Sequence, residues 1–172
     1  MHSNPPNPHS IGFSPEIERA VSELGYEAWT PIQEKSIPLI LAGKDIIGQS
    51  HTGSGKTAAF GLPIIERMNP NGKVQALILV PTRELCEQVT KEMRKFSKYK
   101  RMSITPVYGG ASMNIQIQHL RRTDIVVGTP GRILDHLGRG TFDPRHVKIL
   151  VLDEADRMLD MGFIRDVKKI IQ

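Results

Sequence analysis

The chain has 172 residues, 39% of them apolar and 24% charged, a composition that suits one soluble domain with a single buried core and leaves no room for two. A formal net charge of +5 admits an anionic partner without demanding one. The lone cysteine, Cys86, excludes an intrachain disulfide and a cysteine-rich metal site, and no apolar run approaches the roughly 20 residues of a membrane span.

In chain order, "MHSNPPNPHS" (1–10) is neither basic nor apolar enough for a signal peptide and reads as a mobile tail, leaving 11–172 as the folded domain. A monomeric, cytoplasmic protein without a membrane anchor is expected; a single cysteine suits that reducing compartment. Ser14-Pro15 supplies an N-cap and a first-position proline for a helix whose Ile17, Val21 and Leu24 share a face and which Gly25 ends. Thr30-Pro31 repeats the start signal, with Ile32, Ile37, Ile40 and Leu41 as apolar cover.

Five strand-like runs follow: "DIIGQ" (45–49), "QALILVP" (75–81), "MSITPVY" (102–108), "DIVVGTP" (124–130) and "VKILVLDE" (147–154). Helical patterns separate them. One of these is "RELCEQVTKEMRKF", capped by Thr82, with Glu84 in its first turn and Lys91, Arg94 and Lys95 toward its end, as the helix dipole favours. Nearly continuous Ile, Leu and Val strands are buried on both faces, so the alternation predicts an α/β domain, a doubly wound and mostly parallel sheet flanked by helices. Ligands bind such sheets at the carboxyl ends of the strands. The sequence stops at "DVKKIIQ", within a helical pattern, as a piece of a longer protein would.

The chemistry-bearing residues sit at those carboxyl ends. In "SHTGSGKT" (50–57), Gly53 and Gly55 let backbone N–H groups approach an anion, Lys56 reaches β/γ phosphates, and the Thr57 hydroxyl can join a Mg²⁺ shell. The helix that follows points its N-terminal dipole at the same charge. The common phosphate-loop pattern has glycine where this chain has Ser50, a small side chain that need not prevent the grip. "ILVLDEAD" delivers Asp153 at the end of a buried strand, where it can hold Mg²⁺, and Glu154 beside it can polarise an attacking water. Taken alone, both acids could equally cap the next helix. Together with the glycine-rich loop they point to use of a nucleoside triphosphate.

In combination these motifs resemble the first RecA-like domain of DEAD-box RNA helicases. "GYEAWTPIQ" (25–33) resembles the adenine-reading Q motif; Ser50, His51, Thr52, Gly53, Ser54, Gly55, Lys56 and Thr57 stand as motif I, whose first residue is usually alanine; "DEAD" (153–156) matches literally. "PTREL" (81–85), "GG" (109–110) and "TPGR" (129–132) are similar to the RNA-facing motifs. The resemblance implies a RecA-like fold of P-loop NTPase type, with ATP or ADP and Mg²⁺ as cofactors. It implies that Gln33 pairs with adenine, that Thr57 and Asp153 serve the metal, and that Lys56, Asp153 and Glu154 are catalytic. RNA would be held along its backbone, without regard to sequence, by Pro81, Thr82, Arg83, Gly109, Gly110, Thr129, Pro130, Gly131 and Arg132. Asp156 would couple to a Ser-Ala-Thr motif beyond this chain, and a second RecA-like domain would complete both sites in cis.

Read singly, Gln33 is expected to be a solvated helix residue and Thr82 and Thr129 ordinary caps, while Arg83 and Arg132 could equally be ion-pair partners of nearby acids. The departures are Pro8 where the family has an isolated aromatic, Trp29 in place of a proline, and Cys86 in place of a small residue; Phe13 and Cys86 are expected in the core. A small-molecule P-loop kinase would leave "PTREL" and "TPGR" without a role, and a non-catalytic RNA scaffold would not need Lys56, Asp153 and Glu154 intact.

Overall fold

The computed structural model describes residues 13–26, 31–41, 46–47 and 56–171; the expectations for the tail, Pro8, Trp29 and Ser50 through Gly55 lie outside them. Helix α1 (Pro15–Glu23) starts at the expected Ser14-Pro15 signal and is followed by Gly25 at φ +78°, a backbone state that costs glycine nothing. Helix α2 spans Pro31–Leu41 and the two-residue strand β1 Ile46–Ile47. The chain then alternates: α3 (Lys56–Arg67), β2 (Ala76–Leu79), α4 (Arg83–Phe96), β3 (Ile104–Val107), α5 (Met113–Leu120), β4 (Ile125–Gly128), α6 (Pro130–Arg139), β5 (Ile149–Leu152), α7 (Ala155–Asp160) and α8 (Ile164–Ile171). Every strand falls inside a run read from the sequence.

All strand pairs are parallel, in the order β1-β5-β2-β4-β3. Because side chains alternate across a strand, each strand serves two layers. Ile78, Val80, Ile104, Ile125, Val127, Ile149 and Val151 face a core built with α1 to α4, where Ile17, Ile37, Leu62, Met93 and the predicted Phe13 and Cys86 are buried. Leu77, Leu79, Val107, Val126 and Leu152 face a second core with Leu120, Ile133 and Met158 from the later helices. Helices on both faces of a parallel sheet make this a doubly wound α/β domain.

The register sets up the site. Ile47 lies beside Leu152, Leu152 beside Leu79, Leu79 beside Gly128, and Gly128 beside Val107. The five strands therefore end level, and the residues that follow them emerge along one edge. At Gly128 a Cβ would stand 2.5 Å from Ile133 Cδ1 and 3.0 Å from the Val107 carbonyl oxygen, so only glycine allows α6 to start this close to the sheet. The opposite edge is tied by Asp124, whose carboxylate accepts from the backbone N–H groups of Asn71 (2.9 Å), Gly72 (2.8 Å) and Ser103 (2.8 Å).

Candidate nucleotide and RNA-facing edge

Lys56 opens α3, the next described element after β1, and Asp153 follows β5, the strand paired with β1. The fold thus brings together two residues ninety-seven positions apart: Lys56 Nζ lies 3.0 Å from Asp153 Oδ1, with side chains 17% and 7% exposed. Thr57, in the first turn of the same helix, is half-buried.

Glu154 stands out on two counts. Its backbone is left-handed, at φ 54° and ψ 50°, a conformation that costs a residue with a Cβ about 1–2 kcal/mol. Its side chain is buried, and Oε2 has no hydrogen-bond partner among the described residues, the Arg157 Nη1 atom standing 4.0 Å away. Asp124, equally buried at the other edge, is satisfied by three backbone donors. A buried carboxylate oxygen left without a donor is costly, and such groups concentrate where a ligand completes the set. The expectation that Glu154 merely caps the next helix fails, because its side chain makes no cap hydrogen bond with α7.

The other predicted residues line the remainder of the edge. Thr82 caps α4, its Oγ1 accepting from Leu85 N–H at 3.2 Å. Arg83 is exposed, with its guanidinium carbon 5.0 Å from the centre of the Tyr108 ring. The Tyr108 hydroxyl donates to Glu87, which raises the phenol's pKa, as burial does to a lesser degree. Pro81 and Pro130 are buried, while Gly109, Gly110 and Gly131 are exposed. Thr129 begins α6 without a side-chain cap bond, and its N–H donates to Val107 O at 3.0 Å. Asp156 is exposed in the first turn of α7. Thr82 is therefore a cap as its local sequence suggests, but the Thr129 hydroxyl is not used as one.

One expectation needs correcting. Gln33 is not a solvated helix residue: it is fully buried, on the face of α2 that also carries Ile37 and Ile40. The spacing of 33, 37 and 40 was visible, but an amide is normally placed outside such a stripe. Arg132 does pair with an acid, Asp135, at 3.9 Å. Its Nη1 also donates to Ala111 O at 3.1 Å and Gln116 Oε1 at 3.3 Å. Gln116 and His136, which complete that cluster, were not singled out from the sequence. The four-residue step from Arg132 to His136 along α6 was the available signal.

Lys56 and the acids thus occupy the β1–β5 end of the edge, and Thr82, Arg83, Gly109, Gly110 and Thr129 the β2–β4–β3 end. A parallel RecA-like domain carrying a lysine at a helix start, facing an acid pair at the end of the neighbouring strand, is of the P-loop NTPase type. Comparison with known proteins narrows the class. The profile of the "DEAD/DEAH box helicase" family matches residues 30–172, and the chain belongs to that family. It is 52% identical over 163 residues to the DEAD-box ATP-dependent RNA helicase CshA of Geobacillus kaustophilus, covering 94% of this chain and 35% of that protein. The ATP-dependent RNA helicase CshA of Listeria monocytogenes is 53% identical over 164 residues, covering 94% of this chain and 32% of the relative. The chain therefore spans about a third of the length of these curated relatives. A crystal structure of a DEAD box protein from Methanococcus jannaschii superposes with a TM-score of 0.91 at 48% identity, over 95% of this chain and 46% of that one. Among the described residues no helix is long and apolar enough to cross a membrane.

Proposed function

We propose that this chain is the nucleotide-binding half of an ATP-dependent RNA helicase, which as a whole protein opens short RNA duplexes or remodels RNA–protein complexes. The observation that carries the reading is the Lys56–Asp153 contact beside the left-handed Glu154, at the level ends of adjacent strands. Lys56 holds nucleotide phosphate from the start of α3, exchanging Asp153 for the phosphate oxygens. A buried Asp153, a hydroxyl at Thr57 and a carboxylate oxygen of Glu154 without a hydrogen donor form an all-oxygen set that fits Mg²⁺. Thr57 and Asp153 would hold the ion, and when bound it neutralises charge developing on the transferred phosphoryl group. Glu154 orients the attacking water and accepts its proton. Its αL backbone turns the chain sharply between β5 and α7.

The rest of the edge takes RNA. Thr82 spends an acceptor lone pair on its cap and keeps a hydroxyl proton for a phosphate oxygen; Thr129 brings a second hydroxyl and Arg83 a charge. Gly109, Gly110 and Gly131 offer backbone without a Cβ, and Pro81 and Pro130 add rigid backbone after β2 and β4. Residues Ser50 to Gly55 complete the phosphate cradle, and Gln33 reads adenine. Asp156 and a further RecA-like domain in cis would couple the two ends. Without that domain this chain binds adenine nucleotide weakly and hydrolyses it negligibly.

Titration with fluorescent ADP and GDP in Mg²⁺, beside Gln33→Ala, tests the reading. ADP is expected to bind about tenfold or more tighter than GDP, the preference being lost in the variant. Equal binding of both bases by the wild-type chain would remove the adenine assignment, and RNA-stimulated turnover at a complete helicase's rate would remove the claim of an inactive half.

A further inference from the structure

Behind the exposed Gly109-Gly110 turn lies a buried polar cluster that the nucleotide chemistry does not use. Gln116 of α5 is 5% exposed and His136 of α6 is fully buried. The Gln116 Nε2 donates to Tyr108 O at 2.9 Å, the carbonyl just before the two glycines. Its Oε1 accepts from Arg132 Nη1, and the same Nη1 donates to Ala111 O, the carbonyl just after them. One end of the turn is thus held by the Gln116 amide and the other by the Arg132 guanidinium, which the same amide's oxygen accepts from. Gly110 has φ +85°, and among the described residues no atom lies within 4 Å of where a Cβ would stand on either glycine.

The orientation of that amide depends on His136. Its Nε2 lies 2.8 Å from Gln116 Oε1, and its Nδ1 2.8 Å from Thr141 Oγ1. An amide oxygen can only accept, so the ring carries a proton on Nε2, while the Thr141 hydroxyl has the His136 carbonyl oxygen as an acceptor at 3.1 Å beside Nδ1. Burial, and then the Arg132 charge, lower the pKa of His136. A Gln116 amide flipped end for end would set its NH₂ against two donors, the Arg132 guanidinium and the imidazole N–H, and its oxygen against the Tyr108 carbonyl.

We propose that His136 is a positioning residue for RNA binding: through Gln116 and Arg132 it fixes the Gly109-Gly110 turn in the shape that meets the RNA backbone. The inference rests on the RNA-facing reading of that turn. It also gives Arg132 a role as a brace behind the phosphate contacts, held by two hydrogen bonds, in addition to any charge it presents.

The test uses the 172-residue chain, a fluorescein-labelled single-stranded oligouridylate, and the Gly109 and Gly110 amide resonances. His136→Leu is expected to weaken RNA binding about five- to tenfold, with both glycine resonances displaced and ADP affinity unchanged. His136→Gln, which returns an N–H donor at the same reach, is expected to restore binding to within about twofold. Gln116→Glu keeps the acceptor toward Arg132 and His136 but cannot donate to Tyr108 O; it serves if His136→Leu fails to fold, and it too should weaken binding. Failure of the wild-type chain to bind the oligonucleotide would overturn the RNA reading and the inference with it. Wild-type binding that His136→Leu and Gln116→Glu leave intact, or a His136→Gln variant as weak as His136→Leu, would overturn the positioning role alone.

Discussion

Two buried acids at opposite edges of one sheet show how the same residue type serves structure and chemistry. Asp124 receives three backbone N–H groups and ties loops together; Glu154 is buried, has an oxygen without a hydrogen donor among the described residues, and sits on a left-handed backbone. Both features of Glu154 cost stability, and structures keep such costs where function requires them. Replacing it with glycine removes the αL penalty and the buried carboxylate together. Glu154→Gly should therefore raise the stability of the nucleotide-free chain by about 1 kcal/mol, read from the urea midpoint. A lower midpoint would mean that the side chain contributes packing that outweighs its strain. The acid pair was legible from "ILVLDEAD", since an apolar run ending in two acids is a strand-end signal. The φ of Glu154 was not, because a backbone angle at a non-glycine residue is imposed by the strand and helix on either side of it.

Among the elements, α6 is the one whose position is most tightly specified. It starts at the end of β4, and Ile133 fills the space that a side chain at Gly128 would occupy. Gly128→Ala should destabilise the chain by about 1–3 kcal/mol, because a fully buried Ile133 must move or the helix must lift from the sheet. Combining it with Ile133→Val should cost less than the sum of the two single changes, a coupling that a double-mutant cycle in denaturant would measure. Strict additivity would show that α6 shifts as a whole. The same helix carries Arg132 and His136, so its placement also sets the geometry of the cluster beneath the Gly109-Gly110 turn. Helix existence and the Thr129-Pro130 start were readable; the seating depth was not, since it depends on which residue of another element a glycine faces.

At the scale of the molecule, strand order separates functions that are interleaved in the sequence. The phosphate-side residues come first and last, at Lys56 and Asp153, with Thr82, Gly109 and Thr129 between them. The order β1-β5-β2-β4-β3 closes the chain on itself, placing the fifth strand beside the first. The two sets then occupy different ends of one edge, so they should be separable by substitution. Lys56→Ala is expected to lose nucleotide affinity by about tenfold or more while retaining RNA binding measured without nucleotide. Arg83→Ala should weaken RNA binding a few-fold, reduce its salt dependence by about one charge, and leave ADP affinity unchanged. Loss of both activities in either variant, with the fold intact, would contradict a divided edge.

The sequence by itself determined the α/β class, the five strand positions, the helix start at Thr82 and the glycine-rich spacing before Lys56. Each of these is written locally, in hydrophobic period, capping chemistry or a short glycine-rich spacing. Tertiary structure alone decided that Lys56 meets Asp153, that Gln33 lies inside, that Arg132 turns toward Ala111, and that Gln116 and His136 form one cluster. Those facts depend on which strands become neighbours and on which polar groups must find partners once water is excluded, and both are settled between segments far apart in the chain.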